Sequence, residues 1–248
     1  MSAKGRASRA LRRSWYRGVD YAWALREIGR GLADPALPSR YARGDLSPAL
    51  LLPGVLENWT MMRAIAERLH AAGHPVHALA ALDRNTVSVP AASALGSAYL
   101  AERGLRGTIL VAHSKGGLIG KHMMLADAER RIDRLIAVST PFAGSSLARL
   151  LPHRTIRALG PGDPTIVALG GRRDVNDRIT SIYPSFDPHI PAGCRLEGAT
   201  NVQLESAGHF RVLGDPAVIA AVLEAAARSS PTAGSGEVSA PAAPPAEP

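Results

Sequence analysis

Thr-Ile-Leu-Val-Ala-His-Ser-Lys-Gly-Gly, residues 108–117, decides how the rest of this chain is read. Residues 108–112 form an apolar run behind Gly107, the pattern of a strand buried on both faces. Residues 115–128 then take helical spacing, with Leu118, Ile119, His122 and Leu125 on one face. Between the two sits Ser114, flanked by the small residues Ala112, Gly116 and Gly117. A hydroxyl on a tight strand-to-helix turn projects from a sheet edge, and the strained backbone there needs small neighbours two positions away on each side. Ser114 equally fits a plain helix N-cap, and these ten residues leave both readings open.

Working outward, residues 49–52 form a short strand stopped by Pro53-Gly54, and 58–70 show helical spacing (Met62, Ile65, Ala66, Leu69) closed by Gly73. A strand is expected over 76–79 and a helix over 91–102. Further strands are expected over 135–138, 179–183 and 195–204, and a last helix over 217–227. Strands alternating with helices at this spacing predict an α/β fold, a mostly parallel sheet with helices on both faces.

The chain has 248 residues, the length of one large α/β domain. Its single cysteine, Cys194, rules out an intrachain disulfide framework and a multi-cysteine metal site. The net charge of +8 is unevenly spread: residues 1–44 hold ten basic residues against Asp20, Glu27 and Asp34, a net of +7. Three parts follow: a basic, helical N-terminal arm over 1–45, a catalytic-size body over 46–228, and a Pro/Ala-rich tail over 229–248 expected to be disordered. No stretch reaches the roughly 18–20 apolar residues that span a bilayer, and the N-terminus lacks an apolar run after its basic residues. A cytoplasmic protein is expected, with peripheral membrane contact as a possibility.

The 108–117 run resembles the G-x-S-x-G nucleophile elbow of the α/β-hydrolase superfamily, in particular its lipase- and esterase-like members with G-H-S-x-G-G; Ala112 stands at the first glycine. The resemblance spans roughly 47–228. Leu-Leu-Pro-Gly-Val-Leu-Glu-Asn-Trp, 51–59, is similar to the strand end and oxyanion loop that usually reads H-G-x, with Pro53 in place of the histidine. Ser-Thr-Pro-Phe-Ala-Gly-Ser, 139–145, resembles the T-P-x-x-G-S stretch of acyl hydrolases that handle lipids. The resemblance implies a serine hydrolase acting on a carboxylic ester or related acyl bond, with no cofactor and no metal. Ser114 would be the nucleophile, and the backbone N–H groups of Val55 and Lys115 the oxyanion hole.

A serine nucleophile needs a base, and the base an orienting carboxylate. Of eight histidines, His209 in Ser-Ala-Gly-His-Phe lies between the last strand and last helix, where this superfamily carries its base. Gly208 before it would let the loop approach the serine. The family order places the acid between Ser114 and His209. Asp187, at a strand end and flanked by prolines, resembles the family's acid turn; a plain turn aspartate is the other reading, and Asp163, Asp174 and Asp177 are rivals. His113 is expected to direct its side chain away from the nucleophile, and the Lys115 side chain to face solvent or substrate. Asn85 suits a turn or a pocket lining.

Residues 146–178 fall where this superfamily inserts lids; the segment is short, which predicts a rather open site. In the arm, Leu11, Trp15, Val19, Ala22 and Trp23 approach helical spacing among arginines. That suits an interfacial helix on anionic lipid or a helix packed on the body. No nucleic-acid partner is expected, because no binding module accompanies the basic residues. Every catalytic candidate lies at Val55 or beyond, so loss of the first 30 residues is expected to spare the chemistry. A small acyl-ester or lipid substrate is expected; a non-catalytic binding protein on the same fold is the alternative.

Overall fold

The computed structural model describes residues 3–34, 39–150 and 152–228, with side chains from Ser14 onward. Leu11 of the arm and the 229–248 tail fall outside the described side chains and residues. Six strands, β1 (Ala49–Leu52), β2 (Val76–Ala78), β3 (Thr108–His113), β4 (Ile132–Val138), β5 (Ile179–Phe186) and β6 (Thr200–Ala207), form one sheet. Their order is β2-β1-β3-β4-β5-β6 and every neighbouring pair is parallel.

The side-chain period of two divides each central strand between two apolar layers. Leu50, Leu52, Leu110 and Ala112 point to the face covered by α3 (Val89–Glu102) and α4 (Lys115–Ala126). Ala49, Leu51, Ile109 and Val111 point to the other, under α2 (Arg63–Ala71) and α7 (Pro216–Ala227). Helices on both faces explain why β1 and β3 read as continuous apolar runs.

Two strands start elsewhere than the sequence reading expects, and β5 runs three residues further, to Phe186. β4 starts three residues earlier than expected, at Ile132, because the Asp127 carboxylate accepts from the N–H groups of Arg131 and Ile132 and fixes the entry into the strand. β6 runs over Thr200–Ala207 instead of 195–204. The Asn201 side chain accepts from Leu196 N–H and donates to the carbonyls of Leu196 and Ala199. That network folds 196–199 into a turn.

The N-terminal arm is a single long helix, α1 (Ala3–Ala33). It lies on the α2/α7 side, against the 3-10 turns Trp59–Met62 and Arg211–Gly214. Its buried stripe is Asp20, Ala24, Glu27 and Gly31, spaced as one helix face but half acidic. Trp23 is half-buried against the apolar layer beneath, whereas Trp15 is 70% exposed. The two tryptophans, paired in the sequence reading, therefore have different roles. Trp23→Ala is expected to lower stability by about 1–2 kcal/mol, a melting shift of several degrees for a domain of this size, and Trp15→Ala to leave it within about 0.5 kcal/mol. Equal melting temperatures for the two variants in a calorimetric scan would contradict this packing of α1.

Candidate active site

The turn between β3 and α4 gives Ser114 φ 51 and ψ −120, a backbone conformation that is strained for a residue with a Cβ. The strain is held from several sides. Ser114 N–H donates to Val138 O at 2.9 Å, and Thr140 Oγ1 donates to Ser114 O at 3.0 Å. A Cβ on Gly116 would stand 1.9 Å from the Leu52 carbonyl oxygen, so the position two beyond the serine has no room for a side chain. The Ser114 side chain makes no helix-capping hydrogen bond. Its hydroxyl instead lies 3.0 Å from His209 Nε2.

His209 Nδ1 donates to Asp187 Oδ2 at 2.8 Å. A carboxylate only accepts, so Nδ1 carries the proton and Nε2 is free to accept from Ser114. The other Asp187 oxygen accepts from the N–H groups of His189 (2.8 Å) and Ile190 (3.2 Å). The structure thus brings Ser114, His209 and Asp187 into one hydrogen-bonded line from β3, the β6–α7 connection and the end of β5. The rivals are engaged elsewhere: Asp163 caps α6 (Pro164–Gly171), and Asp174 bonds Arg172 at the surface. Asp177 sits in the 3-10 turn Asn176–Arg178.

Val55 lines the cavity at Ser114, and Lys115 opens α4, so its N–H has no partner inside the helix. The Lys115 side chain corrects the expectation that it faces solvent or substrate. It is buried, and Nζ donates to Asn85 O (2.7 Å), Asn85 Oδ1 (3.0 Å) and the Val87 carbonyl. Burial lowers its pKa to about 8. Asn85 in turn donates from Nδ2 to Pro53 O at 2.7 Å. Lys115 and Asn85 therefore brace the loop after β1 from behind.

Three functional residues escaped sequence reading. His113 points away from the Ser114 hydroxyl, yet its Nε2–H donates to the His209 carbonyl at 2.9 Å, and its Nδ1 shares a proton with Glu57 Oε2 at 2.8 Å. Glu57 also accepts from Gly54 N–H at 2.9 Å. Asp20, fully buried on α1, accepts backbone N–H groups of His209, Phe210 and Arg211 at 2.9–3.0 Å. The spacing of Asp20 and Glu27, two helical turns apart among arginines, was the available sequence signal for Asp20. The arm therefore packs against the site instead of standing apart from it.

The cavity at Ser114 has a volume of about 290 Å³. Leu147, Ile156 and Leu159 from the 146–178 segment form one wall. That segment folds into short turns and the helices α5 (Arg154–Arg157) and α6 rather than a separate cap. Tyr21, Ala24, Leu25 and Ile28 of α1 form another wall. The site is consequently less open than the short insertion implied: Ser114 and His209 are each only 5% exposed.

Burial alone would depress the His209 pKa. The charge and hydrogen bond of Asp187, then the charges of Glu57 and Asp20, outweigh it, and the net shift is upward. Asp187 is pushed up by burial but brought down further by His209 and its backbone donors, so it ends below the usual carboxylate range. His189, its ring tilted against that of His209 at 5.0 Å, is lowered to about 4, first by burial and then by His209. Its Nε2, 4.0 Å from Asp20, thus belongs to a neutral ring and the two form no ion pair. Among the described residues no group of three or more His, Cys, Asp or Glu could hold a metal ion.

No protein-family model and no curated protein matches the chain. Solved structures do. The lipase BlEst2 of Bacillus licheniformis in its mature form superposes with a TM-score of 0.56 at 16% identity, over 75% of this chain and 92% of that one. Lipase B of Aspergillus fumigatus gives 0.62 at 19%, over 77% and 55%. The enol-lactonase of Burkholderia xenovorans LB400 gives 0.51 at 14%, over 73% and 92%. The chain has the α/β-hydrolase fold. In a proton NMR titration the His209 ring is expected to titrate above the ordinary value of about 6.5 and the His189 ring near 4. The opposite order would contradict the charge arrangement drawn here.

Proposed function

We propose that the protein is a serine hydrolase that cleaves a carboxylic ester or related acyl bond, in the manner of a lipase or esterase. The observation that carries this reading is the hydrogen-bonded line Ser114 Oγ, His209 Nε2, His209 Nδ1, Asp187 Oδ2, at 3.0 and 2.8 Å, opening on a largely apolar cavity. His209 takes the Ser114 proton as Oγ attacks the acyl carbon, Asp187 holds the tautomer and steadies the imidazolium, and the proton passes to the leaving alcohol. An acyl-enzyme remains, which water cleaves by the same steps. The N–H groups of Val55 and Lys115 are assigned to the oxyanion. The apolar walls from Met61, Leu147, Ile156 and Leu159 suit an acyl chain. Structural neighbours named as lipases and as an enol-lactonase agree in bond class.

A fluorophosphonate probe with a panel of p-nitrophenyl esters tests this directly. Wild-type protein is expected to label at one site and turn over esters; Ser114→Ala should do neither while keeping its melting temperature. Asp187→Asn should lower kcat by about 10⁴, as the wrong tautomer is then favoured. The base works unprotonated, so kcat/KM should fall as pH drops through the raised His209 pKa, placing the acid limb above about 6.5. A protein that neither labels nor hydrolyses would be a non-catalytic binding protein on this fold.

For partners, we propose that the exposed apolar flank of α1, at the cavity rim, rests on an anionic lipid surface. Trp15, Tyr21, Leu25, Ile28 and Leu32 are exposed, the last at 80%; the final four recur at helical spacing, and Tyr21, Leu25 and Ile28 reach the cavity. Arg17, Arg26 and Arg30 flank them, as interfacial helices require. Co-sedimentation with vesicles containing phosphatidylserine should fall steeply between low and physiological salt, and a Trp15→Asp/Leu32→Asp variant should lose it. Equal sedimentation of variant and wild type would remove this role from α1.

A further inference from the structure

We propose that Asp20 is a positioning residue for the His209 base, which makes the N-terminal helix a working part of the site. The proposal rests on Ser114, His209 and Asp187 acting as the hydrolytic triad.

Asp20 is fully buried and makes no ion pair with a lysine or arginine among the described residues; His189 Nε2 stands 4.0 Å from its Oδ2. A buried carboxylate is costly unless hydrogen bonds replace its water. Here the replacement comes from a single stretch. Oδ1 accepts from His209, Phe210 and Arg211 N–H at 3.0, 2.9 and 2.9 Å, and Oδ2 accepts from His209 N–H at 3.0 Å. These donors open the 3-10 turn Arg211–Gly214, whose own N-cap, Phe210, supplies no side-chain bond. Asp20 therefore caps that turn from another element, 189 residues away in sequence. Gly208 fits the same purpose: its φ of 115 favours glycine, and a Cβ there would stand 2.5 Å from Asp20 Oδ1. The absence of a side chain admits the carboxylate.

On the far side, His113 donates to the His209 carbonyl. The backbone of the base is thus gripped at its N–H by α1 and at its C=O by β3, leaving the ring to meet Asp187 and Ser114. Misplacing a reacting group by about 1 Å costs on the order of 10²-fold in rate, so loss of one grip should appear in kcat. The charged and titratable groups facing His209 are Asp187 and His189 beyond β5, Glu57 after β1, His113 on β3 and Asp20 on α1. Removing the Asp20 charge removes a stabiliser of protonated His209, which would then lose its proton at lower pH.

The test measures kcat, KM, the pH profile and the fluorophosphonate labelling rate of full-length wild type, Asp20→Asn and Asp20→Glu. Asp20→Asn is expected to lower kcat and the labelling rate by about 10- to 100-fold with KM little changed, and to move the acid limb to lower pH. Asp20→Glu keeps the charge but displaces the acceptors, so kcat should fall while the acid limb stays at its wild-type position. If Asp20→Asn does not fold, Asp20→Glu carries the test alone. Wild-type kcat with an unmoved acid limb in the folded variants, whatever their melting temperatures, overturns the positioning role. A wild-type protein that fails to label overturns the hydrolase reading and this proposal with it.

Discussion

The backbone at Ser114 is the constraint around which the molecule is arranged. A positive φ at a non-glycine residue costs of order 1–3 kcal/mol and persists only where the surroundings over-determine it. Here the surroundings are the carboxyl ends of three adjacent strands. β4 supplies the Val138 carbonyl and the Thr140 hydroxyl beyond it; β1 presses the Leu52 carbonyl against Gly116; β3 delivers the serine. The strand order that makes β1, β3 and β4 neighbours is the same order that gathers the β1 loop, Pro141, Asp187 and His209 along one sheet edge. Ligand crevices of open parallel sheets lie at that edge.

Around this turn the polar groups are distributed with a clear division of labour. Three carboxylates, Asp187, Glu57 and Asp20, surround His209 and bias it toward its charged form against the cost of burial. The cation nearest the nucleophile in sequence, Lys115, is turned away behind Asn85. Its ammonium braces a loop and leaves the cavity to apolar walls. The Thr140 and Ser145 hydroxyls extend this bracing, one to the Ser114 carbonyl and the other to the His189 carbonyl. The 139–145 stretch, matched in sequence to a lipid-handling motif, thus also ties the nucleophile turn to the acid turn.

What could be read from the sequence followed from local rules. Apolar runs located β1 and β3 because both faces of those strands are buried, and chain order together with strand ends located Asp187 and His209. Local rules fail where a long-range partner decides the outcome. The strand expected at 195–204 was displaced by the Asn201 side chain, which folds 196–199 into a turn. Lys115 looked like a surface residue because its acceptors, on Asn85 and Val87, are nearly thirty residues away. Asp20 and Glu27 entered the sequence reading only as charges set against the arginines, and the packed structure shows them facing inward. The arm was set apart from the chemistry because its net charge was conspicuous while its two buried acids were not.

The span between α1 and the His209 loop has a consequence for how the molecule is made. The helix leaves the ribosome well before the backbone it must grip at residues 209–211. Throughout synthesis α1 waits with its acidic stripe and its apolar flank unsatisfied, and nascent domains generally complete their cores as units. The sheet can register and the nucleophile turn can form before the base is fixed. A nascent chain would therefore acquire its reactive centre only when α1 docks against a loop made 189 residues after Asp20.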